Sequence, residues 1–156
     1  MKIVAPSTWS IACPDYDLTA ILQAIDGDFH PSLSSQHNLS EFADKLQEKA
    51  HIFLAEEQGE ISGVMAAYLN ENADVYISFI IVLPTWRKRG IANSLLRALQ
   101  CEARKMNCRS ITCRVSVENA AARSMYKKAD FIENGDVFRI VGISKIMVCW
   151  HNKDFK

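Results

Sequence analysis

The sequence predicts an α+β protein in which helices cover a mixed sheet, forming a three-layer α/β/α sandwich. Two observations lead to this expectation. Apolar residues recur every three to four positions in some segments and every second position in others, which is typical of helices and strands respectively. These segments follow the order strand, two helices, three strands, helix, strand, helix and two strands. Helices inserted among largely consecutive strands favour a mixed sheet.

The first third of the chain predicts a short strand and two helices. Residues 1–12 contain the apolar pair of that strand. The segment PDYDLTAILQAID has apolar residues at helical spacing, with Asp15 as its expected N-cap. The second helix, NLSEFADKLQEKA, begins with Asn38 and Glu41 in the pattern of a capping box. Between the two helices, the composition of residues 27–37 indicates a loop.

The rest of the chain predicts six strands and two helices. HIFLAEE and ISGVMAAYLN form a hairpin, and the long strand VYISFIIVL follows and ends at Pro84. A helix runs from Gly90 to about Met106. The strand SITCRVSVE, the short helix NAAARSMYKKA and two closing strands, FIENGDVFRI and ISKIMVCW, complete the chain. Turns are expected at Gln58-Gly59, at Asn134-Gly135 and near Gly142.

Composition limits the function classes. The chain has 156 residues, is 49% hydrophobic, and balances 18 Lys+Arg against 18 Asp+Glu. These values favour a single domain over residues 1–156, and they argue against a general nucleic-acid or membrane-surface binder. The five cysteines include no C-x-x-C pair, and the N-terminus lacks the apolar segment of a signal peptide. We therefore expect a cytoplasmic monomer or homodimer without a metal site.

A cationic loop that leads directly into a helix is the strongest functional signal. WRKRGIANSLL places Arg87, Lys88 and Arg89 before Gly90, where a helical pattern begins. Unpaired N–H groups and the helix dipole favour an anion at such a helix start, and glycine lets it approach the backbone. The stretch is neither G-x-x-x-x-G-K-[ST] nor G-x-G-x-x-G. The residues alone predict a phosphate or pyrophosphate site and leave the ligand open.

The same loop carries a family resemblance. IIVLPTWRKRGIANSLL resembles motif A of the GNAT superfamily of acetyl-CoA-dependent N-acyltransferases, [RQ]-x-x-G-x-[GA], matched here by residues 87–92. VENAAARSMYKKADF resembles the family's motif B, in which Asn119 is followed seven residues later by Tyr126. The resemblance extends over residues 52–131. It implies the family's sheet, in which the fourth and fifth strands splay apart at a bulge.

The resemblance also implies acetyl-CoA as the cofactor and assigns residues to it. Strand backbone in the gap would bind the pantetheine arm, and helix-start N–H groups would bind the pyrophosphate. Asn119 would contact the arm, and Tyr126 would protonate the departing CoA thiolate. Independently, the seven-residue spacing places these two side chains on one helix face. The implied cofactor-binding residues are Ile80, Ile81, Val82, Arg87, Lys88, Arg89, Gly90, Ile91, Ala92, Asn93, Asn119 and Tyr126.

The implied activity is N-acetyl transfer. A primary amine would attack acetyl-CoA directly in a ternary complex, and a backbone N–H near Ile81 or Val82 would polarise the thioester carbonyl. Protein N-terminal acetyltransferases of the superfamily often place glutamate five residues before the motif B asparagine. This chain has Arg114 there, and arginine cannot act as a base at neutral pH. Arg114 and the neutral net charge favour a small-molecule amine. A protein N-terminal or lysine acetyltransferase, and a non-catalytic acyl-CoA sensor, remain alternatives.

We expect the acceptor site in residues 15–50 and the closing strands. Phe29, His30 and Tyr76 are the candidate substrate-binding residues. A second departure from the family is Asp130, which stands where glycine usually precedes the aromatic residue of motif B. The general base is left open among Asp28, His30, His37, Glu118 and Tyr76.

Overall fold

One mixed sheet organises the part of the chain that the computed structural model describes, residues 1–4, 16–29, 32–140 and 142–156. Its strands are β1 (Lys2–Val4), β2 (His51–Glu57), β3 (Glu60–Leu69), β4 (Asp74–Val82), β5 (Ser110–Ser116), β6 (Ile132–Ile140) and β7 (Ile143–His151). They lie in the order β1-β2-β3-β4-β5-β7-β6. Every neighbouring pair is antiparallel except β4 and β5, which are parallel. The predicted mixed sheet is confirmed.

Helices cover both faces of this sheet. They are α1 (Leu18–Ile25), α2 (Leu33–Gln36), α3 (Leu39–Lys49), α4 (Ile91–Lys105) and α5 (Ala120–Lys128). One buried cluster joins α1, α2 and α3 to the sheet and contains Phe79, while a second joins α4 and α5 to the opposite face and contains Ile77. The three-layer sandwich is therefore confirmed. Within the described segments, no helix is both long and apolar enough to span a membrane.

Side-chain caps define the ends of the N-terminal helices. Asn38 caps α3, as predicted, by accepting the N–H of Glu41 at 3.2 Å. The predicted cap of the first helix, Asp15, lies outside the described residues. Instead, Asp17 caps α1 by accepting the N–H of Ala20 at 3.1 Å. The helix consequently begins at the first residue of its buried stripe rather than in the polar segment before it.

The segment 27–37 is not a loop throughout, as its composition had indicated. A 3₁₀ turn spans Asp26–Asp28, and α2 forms one helical turn after it. The carboxylate of Asp26 accepts the backbone N–H of Ser34 at 2.8 Å and its hydroxyl at 2.5 Å. Because these bonds tie the start of α2 to the preceding turn, a stretch of polar residues adopts helical structure. Leu33 is buried beneath it.

The predicted turn at Asn134-Gly135 is wrong, because β6 continues through it as one strand. The pairing with β7 shifts register between Asn134 and Phe138, which marks a bulge. Gly135 has a φ of +88°, a left-handed conformation that glycine adopts within bulges as readily as in hairpin turns. The dipeptide was therefore correctly predicted to interrupt regular structure, but it forms a bulge rather than a turn.

The backbone conformation at Asp130 explains why the family favours glycine at this position. Asp130 follows α5 with a φ of +67°, in the left-handed region that side chains other than glycine rarely adopt. Its carboxylate lies 3.0 Å from the guanidinium of Arg97 on α4. The departure from the family pattern thus leaves the turn in place and adds an ion pair between the end of α5 and the middle of α4.

A bulge in β4 changes which side chains face each layer. Ala66 of β3 pairs with Phe79, but the next residue, Ala67, pairs with Ile77, so Ser78 is an extra residue in β4. The extra residue shifts the alternation of side chains. Ile77 faces α4 and Phe79, two residues later, faces the opposite layer.

Beyond this bulge β4 separates from β5. The parallel pairing begins at Asp74 and Ser110 and stops at Ile77 and Cys113, although β4 continues to Val82 and β5 to Ser116. The predicted splay between the fourth and fifth strands is therefore confirmed. It leaves a wedge-shaped gap with its apex at Cys113.

Candidate functional site

A cavity of about 1020 Å³ lies where β4 and β5 separate. It extends from the start of α4, along the splayed edge of β4, to α5 and the sheet face covered by α1 to α3. Its lining includes Asp28, Phe29, Ser78, Ile80, Ile81, Val82, Arg87, Lys88, Gly90, Ile91, Ala92, Asn93, Cys113, Arg114, Ser116, Asn119, Tyr126 and Lys128. Apart from Arg89, every residue predicted to bind the cofactor therefore lines one cavity.

The loop between β4 and α4 forms an open cradle at one end of the cavity. After a 3₁₀ turn at Pro84–Trp86, Lys88 and Gly90 adopt left-handed conformations, with φ values of +62° and +79°. Gly90 is the N-cap of α4 and provides no side-chain hydrogen bond to its first N–H groups. No atom lies within 4 Å of the position that a Cβ on Gly90 would occupy. The polar start of the helix is thus open to an anion.

The three cations of this loop have different surroundings. Arg87 donates from Nε to the carbonyl of Val82 at 3.0 Å, and its guanidinium lies 2.6 Å from the carboxylate of Asp28. Arg89 lies over the ring of Trp86, 5.0 Å from its centroid, and does not line the cavity. Lys88 lines the cavity without an ion pair to any described residue. Lys88 therefore contributes positive charge to the cradle, whereas Arg87 shapes it.

Backbone groups of β4 face the gap. The N–H of Leu83 donates to the carbonyl of Ser62 on β3 at 2.9 Å. Because successive backbone groups of a strand point to alternate edges, the N–H and C=O of Val82 and Ile80 point towards β5. No ladder partner from β5 reaches them, since the pairing ends at Ile77. The N–H groups of both residues and the C=O of Ile80 are placed to bond an extended polar ligand in the gap, whereas the C=O of Val82 already accepts a hydrogen bond from Arg87.

The hydroxyl of Tyr126 lies at the apex of the gap. Tyr126 is buried, packs edge-on against Phe131 at 5.1 Å, and donates a hydrogen bond to the Sγ of Cys113 at 3.1 Å. Burial, followed by the nearby Cys113 thiol, raises the pKa of Tyr126 well above its usual value. Burial likewise raises the pKa of Cys113 from 9.0 to about 11. Both groups are therefore protonated at neutral pH.

Asn119 combines a capping role with a position on the cavity wall. Its Oδ1 accepts the N–H of Ala122 at 3.0 Å and so caps α5. The two donors on its amide nitrogen are not needed for this cap. Asn119 and Tyr126 both line the cavity, as their seven-residue spacing predicted. The capping and ligand-binding interpretations of Asn119 are therefore compatible.

The predicted acceptor residues divide into one that lines the cavity and one that lies behind it. Phe29 lines it and packs edge-on against Phe79 at 5.5 Å. Tyr76 does not line it; its ring lies under the guanidinium of Arg114, 5.6 Å from the centroid. His30 lies outside the described residues.

The four described candidates for the general base differ in position. Asp28 lines the cavity next to Arg87. His37 is exposed and stacks on Phe42 at 5.0 Å, away from the cavity, and the exposed Glu118 does not line it. Burial raises the pKa of Tyr76, so its hydroxyl cannot accept a proton at neutral pH. Asp28 is thus the one candidate of the four that lines the cavity.

Several lining residues were not singled out from the sequence, among them Cys113 and Lys128. The sequence showed only that Cys113 belongs to no C-x-x-C pair, and it assigned no role to Lys128. The available signal for Cys113 was its place in SITCRVSVE, where it shares the inward face with Ile111 and Val115. Lys128 gave no such signal, because its contribution depends on how α5 packs beside the gap.

Comparison with known proteins identifies the family and agrees with the fold. Residues 18–131 match the family model described as the acetyltransferase (GNAT) family. An acetyltransferase of Sodalis glossinidius is 35% identical over 89 residues, which are 56% of this chain and 61% of that protein. The chain's match thus spans about three fifths of that relative's length.

Solved structures show the same fold at low sequence identity. The ribosomal-protein-alanine N-acetyltransferase from Brucella melitensis superposes with a TM-score of 0.76 at 19% identity, covering 97% of this chain and 100% of that chain. A Bacillus subtilis acetyltransferase in complex with CoA gives a TM-score of 0.72 at 16% identity, covering 97% and 98%. Together with the family match over residues 18–131, the splayed sheet and the helix-start cradle lead to one conclusion: this chain belongs to the acetyltransferase (GNAT) family.

Proposed function

We propose that this acetyltransferase transfers an acetyl group from acetyl-CoA to the primary amine of a small molecule, by direct attack in a ternary complex. The observation that carries the proposal is a single cavity that joins the anion cradle at the start of α4 to the Tyr126 hydroxyl at the apex of the splay. A diphosphate at one end and a thioester at the other would match these two environments.

The residues of the cavity fit coenzyme A along its length. N–H groups at the start of α4, beside Gly90, bind the diphosphate, and Lys88 and Lys128 add charge. The gap-facing backbone of Ile80 and Val82 bonds the pantetheine arm, and the amide nitrogen of Asn119 donates to it. When bound, acetyl-CoA supplies an acetyl group activated as a thioester. The Bacillus subtilis structure of the same fold, which contains CoA, supports this choice of ligand.

Tyr126 is the proposed catalytic acid. Its raised pKa keeps a proton on the hydroxyl at neutral pH, next to the apex of the gap. In the free protein this proton is directed at the Sγ of Cys113, and rotation about the C–O bond is enough to redirect it. A tyrosine is a weaker acid than a thiol, so the proton moves only as negative charge develops on the departing sulfur.

The acceptor approaches from the face covered by α1 to α3. Phe29 and Arg114 line that side of the cavity, and Asp28 offers a carboxylate near the end of β4. An amine must lose its proton before it attacks, and Asp28 or a water beside it is the proposed route. The replacement of the glutamate of protein N-terminal acetyltransferases by Arg114 supports a small acceptor over a protein one.

Thiol release tests this proposal. Purified protein is mixed with acetyl-CoA and a panel of small amines and short peptides, and free CoA thiol is measured over time. We expect release that depends on a small amine. Binding of CoA in calorimetry without thiol release from any amine would instead indicate a non-catalytic sensor. Faster release with peptides than with small amines would indicate a protein acetyltransferase.

A further inference from the structure

Arg114 is a cation on the acceptor side of the cavity. Neighbouring residues of a strand point to opposite faces, and Cys113 faces α4 and α5. Arg114 therefore projects towards the layer of α1 to α3, and it lines the cavity there. Its guanidinium lies between two rings, 5.6 Å from the centroid of Tyr76 and 5.8 Å from that of Phe138.

The charge of Arg114 has no acidic partner within the described residues. None of the ion pairs found there includes it. Asp28 is the one carboxylate among the described lining residues, and it already pairs with Arg87 at 2.6 Å. Lys145 pairs in register with Ser116, two residues along β5, and so adds a second positive charge on the same face. Lys145 does not itself line the cavity, so the positive charge on this wall comes from Arg114.

The two rings prepare the guanidinium for a planar anion. Contacts with both rings hold its orientation, so less rotamer freedom is lost when a ligand binds. The rings offer no carboxylate to compete with a ligand. An arginine held in this way matches a carboxylate, which it bonds through two parallel N–H···O contacts.

We propose that Arg114 binds a carboxylate of the acceptor, so that the substrate is a small amine that also carries a carboxylate, such as an amino acid. The inference rests on the proposed function, because it names the acceptor class of the same site. It also predicts discrimination against protein amines, since the amine of a peptide N-terminus lies next to an uncharged amide.

The test compares the standard amino acids with their C-terminal amides as acceptors in the thiol-release assay. Each amide retains the side chain and amine but lacks the carboxylate. Its amine is also more easily deprotonated, so a site indifferent to the carboxylate would favour the amide. We expect at least one amino acid to be preferred over its amide by about 10- to 100-fold in kcat/KM, the range of a charge-assisted bidentate contact. Equal or faster turnover of every amide would overturn the inference.

Variants assign this preference to Arg114. Arg114→Gln should lower kcat/KM for the preferred amino acid about 10- to 100-fold. It should leave kcat/KM for the corresponding amino acid amide, and the affinity for CoA, unchanged. Arg114→Lys should be intermediate. Arg139→Gln removes the same charge from β6 outside the cavity and should change nothing. An acid preference that survives in Arg114→Gln would contradict the assignment.

Failure of catalysis remains distinguishable from failure of this inference. If no acceptor releases thiol, the transfer proposal fails, and the same pairs are measured by calorimetry with CoA present. Heat from an amino acid that is lost in its amide and in Arg114→Gln would still support the carboxylate site. No heat from any amino acid would overturn it.

Discussion

The cradle at the start of α4 can be tested with a matched pair of glycines. Gly90 at the N-cap of α4 and Gly59 in the β2–β3 turn have φ values of +79° and +80°. A Cβ at either position would have no atom within 4 Å. Substitution therefore imposes the same backbone strain at both sites and no steric clash. The two positions differ in that Gly90 lines the cavity, whereas Gly59 does not.

The expected magnitudes follow from this geometry. A side chain in the left-handed region costs about 1–2 kcal/mol, so Gly90→Ala and Gly59→Ala should lower the free energy of unfolding by similar amounts. Gly90→Glu adds a negative charge where the diphosphate is proposed to bind. At about 4 Å and the effective dielectric near a protein surface, the repulsion is roughly 2–4 kcal/mol, or about 30- to 1000-fold in the Kd of CoA. Gly59→Glu should leave this Kd unchanged.

Urea denaturation and calorimetry with CoA measure the two effects separately. Gly90→Glu that is folded and binds CoA within about threefold of the wild type would refute the cradle as the diphosphate site. A similar loss of affinity in Gly59→Glu would show that the effect comes from net charge or stability. A stability loss much larger for Gly90→Ala than for Gly59→Ala would contradict the view that the cost is purely conformational.

Three further predictions concern the apex of the gap and the end of α5. Tyr126→Phe should lower the rate of thiol release about 10²- to 10⁴-fold and leave CoA affinity in calorimetry nearly unchanged; unaltered turnover would remove the acid role. Asp130→Gly should have a free energy of unfolding in urea about 1–2 kcal/mol higher than that of Asp130→Ala. Both variants lose the ion pair to Arg97, but only glycine relieves the strain of a φ of +67°. The raised pKa of Cys113 gives stability that is fully present below pH 9.0 and lost as pH rises to about 11. Denaturation across this window should show that the free energy of unfolding falls by roughly 1.4 kcal/mol per pH unit. Cys113→Ala should lack this dependence on pH.

Much of the fold follows from local sequence patterns. His51–Glu57 is a strand over the predicted residues, and the stripe of Ile91, Leu95, Leu99 and Ala103 is buried on α4 as its spacing indicated. The cradle could also be predicted from the sequence, since its cations, its glycine and the start of the helix lie within one short stretch. Such features depend on neighbours in the chain, so the sequence contains them directly.

Features that depend on long-range contact could not be predicted in this way. The pairing of Arg87 with Asp28 joins residues 59 positions apart. The bulge at Ser78 lies in VYISFIIVL, an almost continuous apolar run in which alternation cannot be followed. The contact of Tyr126 with Cys113 depends on how a helix packs on a strand. In each case the missing information is the position of a second element.

The bulge at Ser78 has a consequence for how the chain tolerates change. Deleting this one residue would join Ile77 directly to Phe79, whose partners Ala67 and Ala66 are already neighbours on β3, so Phe79 to Val82 would keep their sides of the sheet. The deletion would instead remove the irregularity next to which the pairing of β4 with β5 ends, so the gap should change more than the core. Point substitutions at Ser78 should therefore affect ligand binding in the gap less than its deletion, because the bulge depends on the presence of an additional residue more than on its identity.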